Sequence, residues 1–184
     1  MIAVTDRPRI GVSACLLGER VRYDGGDKRD AWLVDVLGPR VEWVSVCPEA
    51  EAGLGTPREP MNLGRDARGR LVLITDRVRD DLTTTMGAYS ERRAGELAAG
   101  HLDGYVLKSG SPSCGLDVAL RSTLPGGVGE PVAAPHVRGV FAAALTEQLP
   151  DLPVADERQL SDRAAREVFV ARVFAHHRAR MFQP

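Results

Sequence analysis

Short apolar runs alternate along this chain with stretches in which apolar positions recur every three or four residues. The run at 10–14 (IGVSA) reads as a buried strand, and 16–27, rich in glycine and charge, as the loop that follows it. Residues 30–37 (DAWLVDVL) have the spacing of a short helix closed by Gly38-Pro39. A second strand is predicted at 41–46 (VEWVSV), stopped by Pro48. The glycines and prolines of 49–70 predict a loop, and 71–74 (LVLI) a third strand. From Asp81 to about Ala99 a helix is expected, with Met86, Tyr89, Leu97 and Ala98 roughly on one face. Residues 104–107 (GYVL) form a fourth strand that leads directly into KSGSPSCG. Beyond it come an Ala-rich helix at 137–149, an edge strand at 153–155, and a last helix at 161–177. Ser161 is the expected N-cap of that last helix, and Ala165, Phe169, Val170, Val173 and Phe174 its apolar stripe.

Strand and helix alternating at these spacings predict a three-layer α/β fold, Rossmann-like, with a mostly parallel sheet and a ligand site at the carboxyl ends of its strands. A length of 184 residues suits one domain, expected as a core at about 9–160 with a C-terminal helix at 161–177. At 43% hydrophobic and 27% charged residues the usage is that of a globular chain, which excludes disorder. The formal net charge of -1 removes the bulk electrostatic case for a nucleic-acid or membrane-surface partner and leaves a small molecule as the expected one. Residues 1–9 (MIAVTDRPR) lack the apolar core of a secretion signal, and no stretch approaches the ~18 apolar residues that would cross a bilayer. A cytoplasmic location with reduced cysteines is therefore expected. Only Lys28 and Lys108 are lysine, which reads as biased codon usage.

Cys15, Cys47 and Cys114 are the chain's three cysteines, with no CxxC among them. An odd count without a secretion signal argues against a disulfide framework. Cys15 and Cys47 each follow a predicted strand immediately, and Cys114 lies seven residues beyond the fourth, so all three belong to the carboxyl-end rim. Taken singly, a cysteine in such a place is more often packing than ligand. Here each stands in unusual loop chemistry, CLLG…RYDGG, CPEAEAGLGTPREP and SGSPSCG, whose glycines and prolines let backbone approach a bound group. Three thiolates can hold zinc with an open position or an iron–sulfur cluster with one iron unligated, or one of them can be a nucleophile. No histidine completes a zinc site: His176 and His177 read as a surface pair, and His101 and His136 lie in turns without a role.

The same segments resemble the thiouracil desulfurase family of bacterial proteins. The resemblance rests on Ser13-Ala14-Cys15-Leu16-Leu17-Gly18 with Arg22-Tyr23-Asp24-Gly25, on Val46-Cys47-Pro48-Glu49 through Gly53-Leu54-Gly55-Thr56-Pro57-Arg58-Glu59-Pro60, and on Lys108-Ser109 with Ser111-Pro112-Ser113-Cys114-Gly115. It covers roughly residues 9–160. It implies a single α/β domain and a [4Fe-4S] cluster held by Cys15, Cys47 and Cys114, the fourth iron taking the sulfur of a thiolated pyrimidine. Some relatives continue into a second domain, which is not expected here. The resemblance also places Glu49 and Ser111 where the family has its catalytic pair.

The expected chemistry is hydrolytic and needs no net redox change. A soft thiocarbonyl sulfur favours an open iron, water attacks the carbon, and sulfur leaves as sulfide. Glu49 is the expected general base or proton shuttle, though a loop carboxylate capping a helix is its plain alternative. Ser111 would hydrogen-bond substrate or relay a proton, with Ser113 as the alternative if the loop turns differently. Arg22, Tyr23, Arg58 and Lys108 could orient the carbonyls of a base or the phosphate of a nucleotide, or be solvated or salt-bridged loop residues. Glu51 and Glu59 are expected to be structural or solvent-facing, and Trp32 and Trp43 to pack in the core. Two other readings stand beside this one: a mononuclear zinc hydrolase whose metal is held by the three cysteines, with Glu49 as base, and a non-catalytic iron–sulfur or sulfur-carrier protein.

Overall fold

The computed structural model describes residues 7–121 and 136–182, so residues 1–6, most of the N-terminal segment read above, lie outside them. In chain order the elements are β1 (Arg9–Ser13), β2 (Glu42–Val46), α1 (Pro48–Glu51), β3 (Met61–Arg65), β4 (Leu71–Thr75), α2 (Thr83–Ala99), β5 (Gly104–Leu107), α3 (Val140–Gln148), β6 (Val154–Asp156) and α4 (Arg163–Met181). The four strands β2-β1-β5-β6 form a parallel sheet in that spatial order. A segment predicted as helix at 30–37 winds as a π-helix over Trp32–Leu37, its start held by the Asp30 carboxylate accepting the Leu33 N–H at 3.0 Å.

Alternation along the strands sorts the core into two layers. Ile10, Val12, Val106 and Ala155 face one side, where Leu33, Leu37, Phe169 and Val173 close over them. Trp32 and Trp43 pack half-buried against this layer, as expected. Val46, Tyr105 and Leu107 face the other side, under Leu97 of α2 and Phe141, Ala142 and Leu145 of α3. Burying each large side chain completely contributes about 1.5–3 kcal/mol, so both layers are needed to hold the sheet between its helices. Gly11 sits opposite Tyr105 in the register, and a Cβ there would lie 2.2 Å from the tyrosine ring. The ring instead tilts against Phe141, centroids 5.7 Å apart.

The segment predicted as loop at 49–70 contains β3 and most of α1. Met61 and Leu63 alternate inward, and β3 pairs antiparallel with β4 as a separate two-stranded hairpin. The predicted third strand thus exists but lies outside the parallel sheet. Pro60 and Gly64 flank or interrupt this short run, and that hid its period-two pattern. The last helix is capped by Asp162, whose carboxylate accepts the Ala165 N–H at 2.8 Å, and not by Ser161. His176 and His177 are not a surface pair. His177 continues the four-residue spacing of Phe169 and Val173, is buried, and lies 2.9 Å from the wholly buried Asp103 carboxylate.

Connections from β1 and β5 leave toward opposite faces. The 32–37 helix lies in one layer and α3 in the other, so the carboxyl ends of these neighbouring strands frame a switch-point crevice. No helix among the described residues is long and apolar enough to cross a membrane.

Candidate functional site

Each cysteine reaches the crevice on its own connection. Cys15 lies in a tight 3-10 turn, Ala14–Leu17, that follows β1 at once and ends at Gly18 in the left-handed region (φ 95°). Cys47 follows β2 and caps the short α1, its N–H donating to the Glu51 carboxylate at 3.0 Å. Cys114 stands in the loop after β5, where the Ser111 hydroxyl accepts the N–H groups of Ser113 at 3.2 Å and Cys114 at 3.1 Å. Gly115 closes that loop, since a Cβ there would lie 2.5 Å from Val118.

All three cysteines border one cavity of about 400 Å³, together with Arg22, Tyr23, Lys28, Glu49, Arg58, Glu59, Lys108 and Ser111. They are free thiols, Cys15 and Cys114 buried and Cys47 half-buried. Burial pushes the Cys15 thiol up to about 11, against the pull of Lys108 and Arg22 and with the help of Cys47. Cys47 is raised by burial, although backbone N–H groups at 49 and 50 and Arg58 favour its thiolate. Cys114 is raised well above the usual thiol range, first by burial and then by Glu49, Cys47 and Cys15, against a hydrogen bond from Ser13. The thiols thus feel one another's charge. No group of three or more His, Cys, Asp or Glu among the described residues is placed to hold a single metal ion. Three soft donors around a cavity, without convergence on one point, fit a multinuclear group with a width of its own better than a lone cation.

Glu49 is held from both sides. Arg58 donates through Nε at 2.7 Å and pairs through a terminal nitrogen at 2.6 Å, both to Oε2, while the Ser113 hydroxyl donates to Oε1 at 2.9 Å. Arg58, 6% exposed at its side chain, is therefore a partner of the carboxylate and not a loop residue in solvent. Ser113 is fully buried and does not border the cavity, so its part is to hold Glu49, whereas Ser111 does border it. Lys108 pairs with Glu157 and donates to Ser109, so its ammonium is committed within the protein. Arg22 stands 3.4 Å from Asp24, with its guanidinium 5.3 Å from the Tyr23 ring, and its buried Nε makes no hydrogen bond. Glu51 is structural, binding Cys47 N–H, the Tyr89 hydroxyl and Arg93, and Glu59 accepts the N–H groups of Arg77 and Val78.

The sequence reasoning passed over Ser13, which accepts the Lys108 N–H at 2.9 Å, and Glu157, and it passed over Lys28 as a cavity residue. Lys28 carried only the signal of its rarity: it and Lys108, the chain's two lysines, both border the cavity. Glu157, one charged residue after an edge strand, carried none.

Fold and site together define an α/β protein with a thiol-lined crevice at the switch point of a parallel sheet. Residues 10–157 match the family model described as 2-thiouracil desulfurase, and the chain belongs to that family. A solved structure titled [4Fe-4S]-dependent thiouracil desulfidase TudS superimposes with a TM-score of 0.64 at 34% identity, covering 86% of this chain and 96% of that one. The uncharacterized protein YbbK of Bacillus subtilis (strain 168) is 30% identical over 122 residues, 62% of this chain and 78% of the relative.

Proposed function

We propose that this protein is a [4Fe-4S]-dependent desulfurase that removes sulfur from thiolated pyrimidines by hydrolysis, with Cys15, Cys47 and Cys114 as the cluster's ligands. The observation that carries the reading is the placement of the chain's three cysteines on three separate connections around one cavity, within a family of thiouracil desulfurases. When bound, the cluster supplies an iron with an open position, a soft Lewis acid for a thiocarbonyl sulfur.

The protein's own residues handle water and protons. The net reaction exchanges C=S for C=O: water gives its oxygen to carbon, and both its protons leave with sulfur as hydrogen sulfide, so no oxidant is needed. Glu49 is the base that takes a proton from the attacking water and passes it on. Arg58 and Ser113 fix that carboxylate in one orientation, which removes the entropy of finding it. Ser111 already accepts two backbone N–H groups, so its own proton is available to a carbonyl or ring nitrogen of the substrate. Arg22 and Tyr23 remain the residues of the cavity wall suited to orient the ring; Lys108 does not, its donors being used.

The test is metal and sulfide analysis of anaerobically purified protein, followed by turnover of 2- and 4-thiouracil read from loss of thiocarbonyl absorbance. Iron with acid-labile sulfide and multiple turnovers is the expected result, and Cys47→Ala is expected to lose the complete cluster. Zinc without sulfide would replace this reading by the zinc hydrolase, and a cluster without turnover on any thiolated base, nucleoside or nucleotide by a carrier.

A further inference from the structure

Lys108 and Glu157 join the ends of two neighbouring parallel strands, β5 and β6, beside the cavity. The Lys108 ammonium has three N–H donors, and the structure gives it three acceptors: the Glu157 carboxylate, the Ser109 carbonyl at 2.9 Å and the Ser109 hydroxyl at 3.1 Å. Ser109 in turn donates its N–H at 2.8 Å and its hydroxyl at 2.6 Å to Glu157. Both charged side chains are mostly buried, at 17% and 16% exposure. The Lys108 backbone N–H donates to the Ser13 hydroxyl at 2.9 Å, two residues before Cys15, which ties this ion pair to the adjoining rim. Lys108 borders the cavity and Glu157 does not, so the pair turns its positive end toward the three cysteines.

A lysine with every donor spent cannot bind substrate by hydrogen bonds, yet its charge is fixed and poorly screened. Such a charge acts on whatever anionic group the cavity holds. Resting on the cluster reading above, we infer that Lys108 and Glu157 are an oriented fixed-charge pair that sets the reduction potential of the cluster and holds its Cys15 side. A positive charge beside a cluster stabilises the reduced, more negative form and so raises the potential, and a counter-charge behind it lowers that effect.

The two charges predict shifts of opposite sign, which a merely structural role would not produce. Cluster-loaded wild type, Lys108→Met, Lys108→Arg and Glu157→Gln are compared by one-electron potentiometric titration with dithionite, followed by electron paramagnetic resonance, with iron and sulfide assayed on each. Lys108→Met is expected to move the midpoint potential down, Lys108→Arg to restore it, and Glu157→Gln to move it up. Glutamine drops the charge while its amide oxygen still accepts from Lys108 and the Ser109 hydroxyl, losing only the bond from the Ser109 N–H. Equal potentials, or shifts of the same sign in Lys108→Met and Glu157→Gln at wild-type iron content, overturn the inference. Should Lys108→Met fail to load iron, Glu157→Gln decides alone, an upward shift supporting the pair and an unchanged or lower potential overturning it. Wild type without iron overturns the cluster reading and this inference together, and the iron assay tells that failure from the others.

Discussion

Glu49 reaches the cavity with both oxygens already engaged, Oε2 by Arg58 and Oε1 by Ser113. A carboxylate so held keeps lone pairs for a water while losing freedom to turn, which is what a proton-transferring group requires. Glu49→Gln is expected to lower kcat by about 10²–10⁴-fold while leaving iron content unchanged, measured by steady-state desulfuration and metal assay. Ser113→Ala is expected to cost on the order of 10-fold, the loss of one hydrogen bond to a charged group, with little change in KM. Loss of iron in Glu49→Gln would make Glu49 a support of the site and not its base. The cysteines were legible as chemistry because their residue type and loop settings are unusual, and Glu49 only through the family resemblance. Partners were not: Arg58 and Lys108 could be read as substrate contacts or as salt-bridged loop residues, and the fold makes them salt-bridge partners of Glu49 and Glu157, nine and 49 positions away. Which acceptor an arginine or lysine meets depends on how loops lie against each other, and local pattern does not encode that.

Among the elements, α4 shows most clearly what periodicity reveals and what it conceals. Its apolar stripe predicted the packed face, but that face ends in a buried polar clasp. Asp103, at the turn into β5, accepts the Arg9 N–H at 2.9 Å and Arg180 at 3.1 and 3.0 Å, with His177 at 2.9 Å and His176 at 3.5 Å. Burial would raise this carboxyl, but the hydrogen bonds from Arg180, Arg9 and His177 prevail and hold it below its ordinary value of 3.8. A carboxylate with a lowered folded value stabilises the protein above its ordinary value, and that contribution is lost as pH falls through the folded one. Asp103→Asn is therefore expected to cost about 3–5 kcal/mol at neutral pH, the cost of stranding buried partners, as read by denaturant unfolding. The gap between wild type and variant should close as the pH is taken below 3.8. A gap that stays constant would show that the clasp acts through shape alone. The hairpin β3–β4 teaches the converse: Met61 and Leu63 had the right alternation, but Pro60 before the strand and Gly64 within it break the apolar run that marks the other strands.

Over the whole molecule, the site exists because of topology. Strands far apart in sequence, β1, β2 and β5, become neighbours, and only then do positions 15, 47 and 114 face one space. A group bound there by the folded chain and not by the unfolded one stabilises the fold by linkage, about 2.7 kcal/mol at a hundredfold excess over Kd. Removing iron from loaded protein with a chelator is thus expected to lower Tm by roughly 5–10 °C in scanning calorimetry. Equal melting of loaded and stripped protein would mean that the cysteines do not hold the group in the native state. By itself the sequence determined the α/β class, the strands that carry the cysteines, and the rim on which the thiols fall, because strand period, helix period and chain breakers act locally. Tertiary structure alone decided the order β2-β1-β5-β6, the hairpin's separation from the main sheet, and the partners of Glu49, Lys108 and Asp103. Those outcomes depend on which buried surfaces and charges meet across long chain separations, and that competition is settled only when the whole chain packs.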